Sequence, residues 1–172
     1  QASLTGHLVL STIHTNDAIG VVPRLIDLEV EPFLLGATFD LGIAQRLARK
    51  ICADCRVEAS VPEALYAQVL AEFKLIPPRY LPESVDGVKP LTFSRGQGCP
   101  KCGTTGYRGR IAVVEVLQGT ANLQRLIGEG FPIARVQEEL RAQGMISMKQ
   151  DALLKALNGL TTVEEVLRIS KE

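Results

Sequence analysis

The chain has no tryptophan, only 5% aromatic residues, two histidines and no net charge, since 19 Lys and Arg offset 19 Asp and Glu over 172 residues. Each shortage argues against a class of function. An even charge balance supplies no basic face to displace the counterions condensed on DNA or RNA, which speaks against a histone-like or polybasic role. No apolar run approaches the roughly 20 residues that cross a hydrocarbon core, and the N-terminus lacks the charged, apolar, small-residue order of a signal peptide. A cytosolic protein is expected. No internal repeat is found. The remaining composition, 46% hydrophobic, suits one ordinary domain or two small ones. Gln1 stands in the place of Met and a strand-like run is reached by Leu8, so part of a longer protein is expected.

Cysteine is scarce but ordered. Cys52, Cys55, Cys99 and Cys102 are all the cysteines present, and they form two Cys-x-x-Cys pairs separated by 43 residues. Where thiols are kept reduced, two such pairs suit a tetrahedral four-thiolate zinc site better than a disulfide framework. A two-residue spacing lets one tight turn present both sulfurs, and Gly98-Cys99-Pro100-Lys101-Cys102-Gly103 carries the glycines and proline of such a turn. The competing readings are redox dithiols or buried thiols placed by coincidence. A thioredoxin-like pair, however, opens a helix after a strand and needs no matching second pair. The separation exceeds the roughly 15–20 residues of a compact zinc ribbon, so the two knuckles must meet across an inserted segment. Four thiolates close the coordination shell, which leaves no open position for a catalytic water and predicts a structural metal.

Along the chain, residues 8–13 read as a short buried parallel strand, followed by a polar end at His14-Thr15-Asn16-Asp17 in which Asn16 or Asp17 caps a helix. Pro23 either kinks that helix or marks its first turn. Pro32 restarts a helix, and Phe33, Leu34, Ala37, Leu41, Ala44 and Leu47 continue at helical spacing to a basic end at Arg46, Arg49 and Lys50, where the macrodipole favours cations. Pro62 opens a helix through Leu75 with Leu65, Val69, Leu70 and Phe73 as its stripe. Residues 76–98, with Pro77-Pro78, Pro82 and Pro90, are expected to be extended or turn-like, with a short strand at Leu91-Thr92-Phe93. Ile111–Leu117 reads as a strand by length and β-branching. Helices follow near 121–129, 132–143, 148–158 and 162–170, punctuated by Gly130, Gly144 and Gly159, with capping boxes at Ser147-x-x-Gln150 and Thr161-x-x-Glu164.

The stretch Leu4-Thr5-Gly6-His7-Leu8-Val9-Leu10-Ser11-Thr12-Ile13-His14-Thr15-Asn16-Asp17-Ala18 resembles the His box of the secretion ATPases, and more narrowly of the assembly ATPases of type II secretion and type IV pili. Further stretches agree in order: Arg24-Leu25-Ile26-Asp27 with Val30–Leu34, Ala44-Gln45-Arg46-Leu47 running into the first cysteine pair, and Gly98-Cys99-x-x-Cys102 with Gly106-Tyr107-x-Gly109-Arg110. The tail from Asp151 through Gly159-Leu160-Thr161-Thr162 to Arg168 also agrees. The resemblance implies an α/β fold in three parts. Residues 1–50 would complete a RecA-like ATPase core, 51–110 form a tetracysteine zinc insert, and 111–172 form a mainly helical C-terminal subdomain. It also implies a homo-hexameric motor whose ATP and Mg chemistry drives pilus or pseudopilus assembly from the cytoplasmic face of the inner membrane. The partners would be an inner-membrane platform protein and a cytoplasmic recruitment domain, with no nucleic acid and no direct membrane insertion. The tetracysteine insert of that family binds zinc and separates assembly motors from retraction motors.

In that family the phosphate-binding loop, acidic box and Walker B carboxylate precede the His box. No Gly-x-x-x-x-Gly-Lys-Ser/Thr occurs here, so these residues alone are not expected to hydrolyse ATP. The resemblance makes His14 the catalytic histidine, at a strand end from which a ring N–H can sense or stabilise a γ-phosphate; the plainer reading is a histidine hydrogen-bonded in its turn. Thr12 and Thr15 flank it as candidate orienting hydroxyls, and His7 reads as structural. Gln45 and Arg46 match the family's nucleotide-region element, with a surface or interface ion pair as the equal alternative for Arg46. Another class of reading is a stand-alone structural zinc module acting as a protein-binding adaptor, favoured by the likeness of Cys99–Gly106 to one chaperone zinc repeat. A nucleic-acid zinc ribbon would need aromatics beside a basic groove, and an amphipathic tail over Val163–Ile169 carries Glu164-Glu165 where anionic lipid wants cations.

Overall fold

A computed structural model describes residues 2–81 and 91–171. Asp17 Oδ1 accepts the Gly20 amide at 2.7 Å and closes the turn that leads into helix α1 (Val21–Asp27), with Pro23 within its first turn. Helix α2 (Pro32–Thr38) starts at proline as expected but stops at Phe39, and the chain continues as strand β1 (Leu41–Ile51). The helix expected to run on to residue 50 is therefore a correction. Gly42 and the alternation of buried and exposed positions along β1 suit a pleated strand, and Arg46, Arg49 and Lys50 lie on it instead of at a helix C-terminus. Strand β2 (Arg56–Ala59) and strand β3 (Phe93–Gly96) pair antiparallel from Arg56 opposite Gly96 to Ala59 opposite Phe93, with helix α3 (Glu63–Phe73) between them in sequence. The expected strand at 91–93 thus begins only at Phe93. Strand β4 (Tyr107–Gln118) pairs with β1 in a second two-stranded sheet. Pro78 opens a single 3₁₀ turn through Tyr80, whereas Pro82 and Pro90 lie outside the described residues.

The C-terminal helices fall where the sequence places them: α4 (Ala121–Gly128), α5 (Ile133–Gln143), α6 (Met148–Leu157) and α7 (Val163–Lys171). Ser147 and Gln150 form the expected reciprocal box on α6, at 3.3 and 3.0 Å. The last cap is shifted by one residue. Thr162 Oγ1 accepts the Glu165 amide at 3.3 Å, while Thr161 Oγ1 donates to the Arg49 carbonyl at 2.8 Å. Glu165, which would close a box on Thr162, turns to Arg49 instead.

The residues gather into two units, Gln1–Ala44 with Glu115–Met145 and Gln45–Val114 with Ile146–Glu172. The expected boundaries near residues 50 and 110 fall inside β1 and β4, which run from one unit into the other. In the first unit Val22, Leu35, Phe39, Leu117, Leu123, Leu126 and Ile127 are the centre of the core. A Cβ on Gly36 would stand 2.5 Å from the Gln124 carbonyl, so only glycine lets α2 approach α4 this closely. In the second unit the buried side chains include Val69, Phe73, Phe93, Leu153, Val163 and Val166. There Glu165, 1% exposed, accepts the Arg49 amide at 2.8 Å, two Arg49 guanidinium bonds at 2.7 and 2.9 Å, and the Arg168 Nε at 3.1 Å. Burial alone would push the Glu165 carboxyl up, but the bonds from Arg168 and Arg49 hold it at about 2. Arg49 also stacks 4.3 Å over the Tyr107 ring, whose hydroxyl lies 3.0 Å from Thr162 Oγ1.

Residues 8–13 are not a strand, which overturns that expectation. Leu8 is 82% and Leu10 86% exposed, and the segment pairs with no strand among the described residues. An apolar, β-branched run becomes a buried strand only when neighbours on the sheet take up its amides and carbonyls.

Candidate metal centre and histidine turn

Two short turns carry the sulfurs. Cys52-Ala53-Asp54-Cys55 leaves the end of β1 and enters β2, and Cys99-Pro100-Lys101-Cys102 follows β3. The knuckles meet because their backbones touch. The Cys52 amide donates to the Gly106 carbonyl at 2.9 Å and the Gln97 amide to the Cys55 carbonyl at 3.0 Å. A Cβ on Gly96 would stand 2.0 Å from the Gly106 oxygen, so this approach requires glycine. All four thiols are free, and their sulfurs lie within 4.8 Å of one another. Three separations are 3.9 Å for Cys52 to Cys99, 3.9 Å for Cys55 to Cys102 and 3.7 Å for Cys99 to Cys102. A tetrahedron with metal–sulfur bonds of about 2.3 Å has edges of about 3.8 Å. The donor set therefore fits one tetrahedral thiophilic ion.

The amides of Cys99 and Gly106 donate to Cys102 Sγ at 3.2 and 3.3 Å. These bonds, the Cys99 amide first, draw the Cys102 thiol down to about 6, while burial pushes the neighbouring Cys55 thiol up to about 12. Around the sulfurs stand groups that the spacing argument missed. Asp54 pairs with Lys101 and lies 3.8 Å from Arg108 Nη1, and its carboxyl is held below the usual range chiefly by the Lys101 hydrogen bond. The readable signal was a charge of opposite sign between the cysteines of each pair.

His14 sits in the irregular segment before α1, with an exposed side chain, as has Thr12. The turn that follows it is fixed. Thr15 Oγ1 donates to the Asp17 carbonyl at 2.9 Å, and the Ala18 amide donates to the buried carboxylate of Glu115 at 3.0 Å. Glu115, an acid inside the apolar run of β4, was another signal that could have been read. His7 Nδ1 lies 3.0 Å from the Thr5 hydroxyl in the preceding turn. Gln45 is exposed on β1, and Arg46 Nη1 donates to the Ile169 carbonyl at 3.2 Å, within the second unit.

Residues 1–168 match the family described as Type II/IV secretion system protein. The chain belongs to this family. It is 41% identical over 167 residues to the type IV pilus assembly ATPase PilB of Myxococcus xanthus, covering 97% of this chain and 28% of that protein. Against PilB of Thermus thermophilus it is 39% identical over 168 residues, covering 97% of this chain and 17% of that protein. Against the type II secretion system ATPase E of Vibrio cholerae it is 40% identical over 172 residues, covering 100% of this chain and 31% of that protein. The chain thus spans less than a third of the length of these secretion and pilus relatives. No helix among the described residues of this family member is long and apolar enough to cross a membrane.

Proposed function

We propose that this chain is part of a hexameric traffic ATPase whose ATP hydrolysis powers type IV pilus assembly or type II secretion. The observation that carries the reading is the four-sulfur cluster, which assembles from two distant pairs in a chain whose relatives are named as pilus assembly and secretion ATPases. In this reading residues 1–50 complete a RecA-like core and present His14 to a nucleotide, with Gln45 and Arg46 near it. Residues 51–110 form an insert stapled by zinc on Cys52, Cys55, Cys99 and Cys102, and residues 111–172 form the helical subdomain. Bound zinc would supply fixed geometry and folding free energy to the insert.

ATP and Mg belong to the intact motor, since the lysine and hydroxyl of a phosphate-binding loop are lacking here and the 172 residues alone do not turn over ATP. The motor works at the cytoplasmic face of the inner membrane, held there by a platform protein and a recruitment domain. Two measurements test this. Elemental analysis of the purified chain should find about one zinc, and a strong chelator should abolish its cooperative melt; metal-free protein with an unchanged melt would defeat the structural-zinc part. The intact protein should hydrolyse ATP with Mg, and His14→Ala should reduce turnover without releasing zinc. Full turnover and assembly in that variant would overturn the role given to the histidine.

A further inference from the structure

Each knuckle carries one charged side chain between its cysteines, Asp54 in the first and Lys101 in the second. They meet as an ion pair across 47 residues of sequence, and Arg108 places a second cation near the other carboxylate oxygen at 3.8 Å. That same oxygen lies 3.9 Å from Cys52 Sγ. Four thiolates around a divalent ion carry excess negative charge, so a carboxylate at this distance opposes the loaded centre by its own field. Asp54 does not help the metal directly. Its position makes sense as one end of a tie whose other end is Lys101.

We propose that the Asp54–Lys101 pair, reinforced by Arg108, is a metal-independent clip between the knuckles that holds the four sulfurs in register and slows metal release. The inference rests on the four-thiolate metal reading. Both partners are partly exposed, and exposed pairs contribute little singly, so the effect on release is about two- to fivefold. The sign at Asp54 separates the clip from simple countercharge. If Lys101 only neutralised the thiolates, removing the Asp54 charge would slow release; if the pair is a clip, removing it hastens release.

The test is zinc release from the loaded chain to excess chelator, read with a metallochromic dye. Asp54→Asn and Lys101→Met should each release about two- to fivefold faster than the parent, and the exchanged pair Asp54→Lys with Lys101→Asp should recover most of the difference. Release from Asp54→Asn at the parental rate or slower overturns the clip. A second readout does not follow the metal. In the chain as purified, Asp54→Asn should speed hydrogen exchange at the Cys52 and Gln97 amides, which bridge the knuckles. Unchanged exchange also overturns the proposal. If the parent holds no zinc, the metal reading fails by itself, and the exchange result still decides the clip.

Discussion

Residues 8–13 and residues 111–117 are much alike in sequence, both short, apolar and rich in β-branched side chains, yet only the second is a strand. In β4, Val113 and Leu117 are fully buried, while Leu8 and Leu10 stand in solvent. The difference lies in the neighbours. β4 pairs with β1, and Leu117 packs into the core with Leu123 and Leu126 of α4. A strand is a property of the pair, and one run with strand propensity does not make one. The same substitution made in both segments tests this. Leu117→Ala should cost about 3 kcal/mol in urea unfolding, and Leu10→Ala less than about 0.5 kcal/mol. Equal costs would show that the 8–13 segment is packed. If the proposed RecA-like core supplies this segment with strand neighbours, Leu10→Ala in the intact protein should approach the cost of Leu117→Ala.

Apolar packing anchors the end of β4 in the first unit; in the second, a buried charge anchors the far part of β1. Acid separates the two. The Glu165 carboxyl falls from its ordinary 4.5 to about 2 in the folded chain. A depressed folded value means that its contribution is complete above pH about 4.5 and is lost as the pH falls toward about 2. At about 1.4 kcal/mol per pH unit the fall from 4.5 to about 2 corresponds to about 3.5 kcal/mol, which solvent screening at the half-exposed Arg49 and Arg168 reduces to about 2–3 kcal/mol. Glu165→Gln should lower the melting temperature at neutral pH and flatten its decline between pH 4.5 and 2. The quantity to read is the difference between parent and variant scans, because the cysteine thiolates also take up protons in acid. Identical slopes would remove Glu165 as the acid-sensitive anchor.

Much of this fold was legible because it is local. The four C-terminal helices announce themselves through Gly130, Gly144 and Gly159, all at positive φ, and through the Ser147 box. The cysteine cluster was legible because the chemistry of four thiols narrows their use. The failures came where local signals were degenerate. Leu41, Ala44 and Leu47 fit a helical period, but Gly42 and the pairing of β1 with β4 decide for a strand. The Thr161 box was misplaced by one residue because Thr161 is taken by the Arg49 carbonyl and Glu165 by the Arg49 side chain, both far off in sequence. The site's second layer, Asp54 with Lys101 and Glu115 with Ala18, became visible only once the chain had folded.

Glu115, within residues 111–117, is tied to the turn that precedes α1. Its buried carboxylate takes the Ala18 amide, four residues after His14. Glu115→Ala leaves that amide unsatisfied and should cost about 1–2 kcal/mol, whereas Glu115→Gln keeps a carbonyl acceptor and should cost less. Faster hydrogen exchange at Ala18 in the alanine variant, with Leu123 unaffected, would place the loss at the turn. Uniform acceleration would mean that Glu115 supports β4 generally.

The smallest expected effect is at His14 itself. Its side chain is exposed in this chain, and the hydrogen bonds of the turn run through Thr15, Asp17 and Ala18. His14→Ala should therefore change the stability of the 172-residue chain by less than about 0.5 kcal/mol. A loss above about 1 kcal/mol would make the histidine a structural member of its turn and weaken its assignment to the nucleotide. A stable variant chain together with a slow intact protein is the combination expected if the proposed role of His14 holds, since the ring would then act on phosphate charge and not on its own turn.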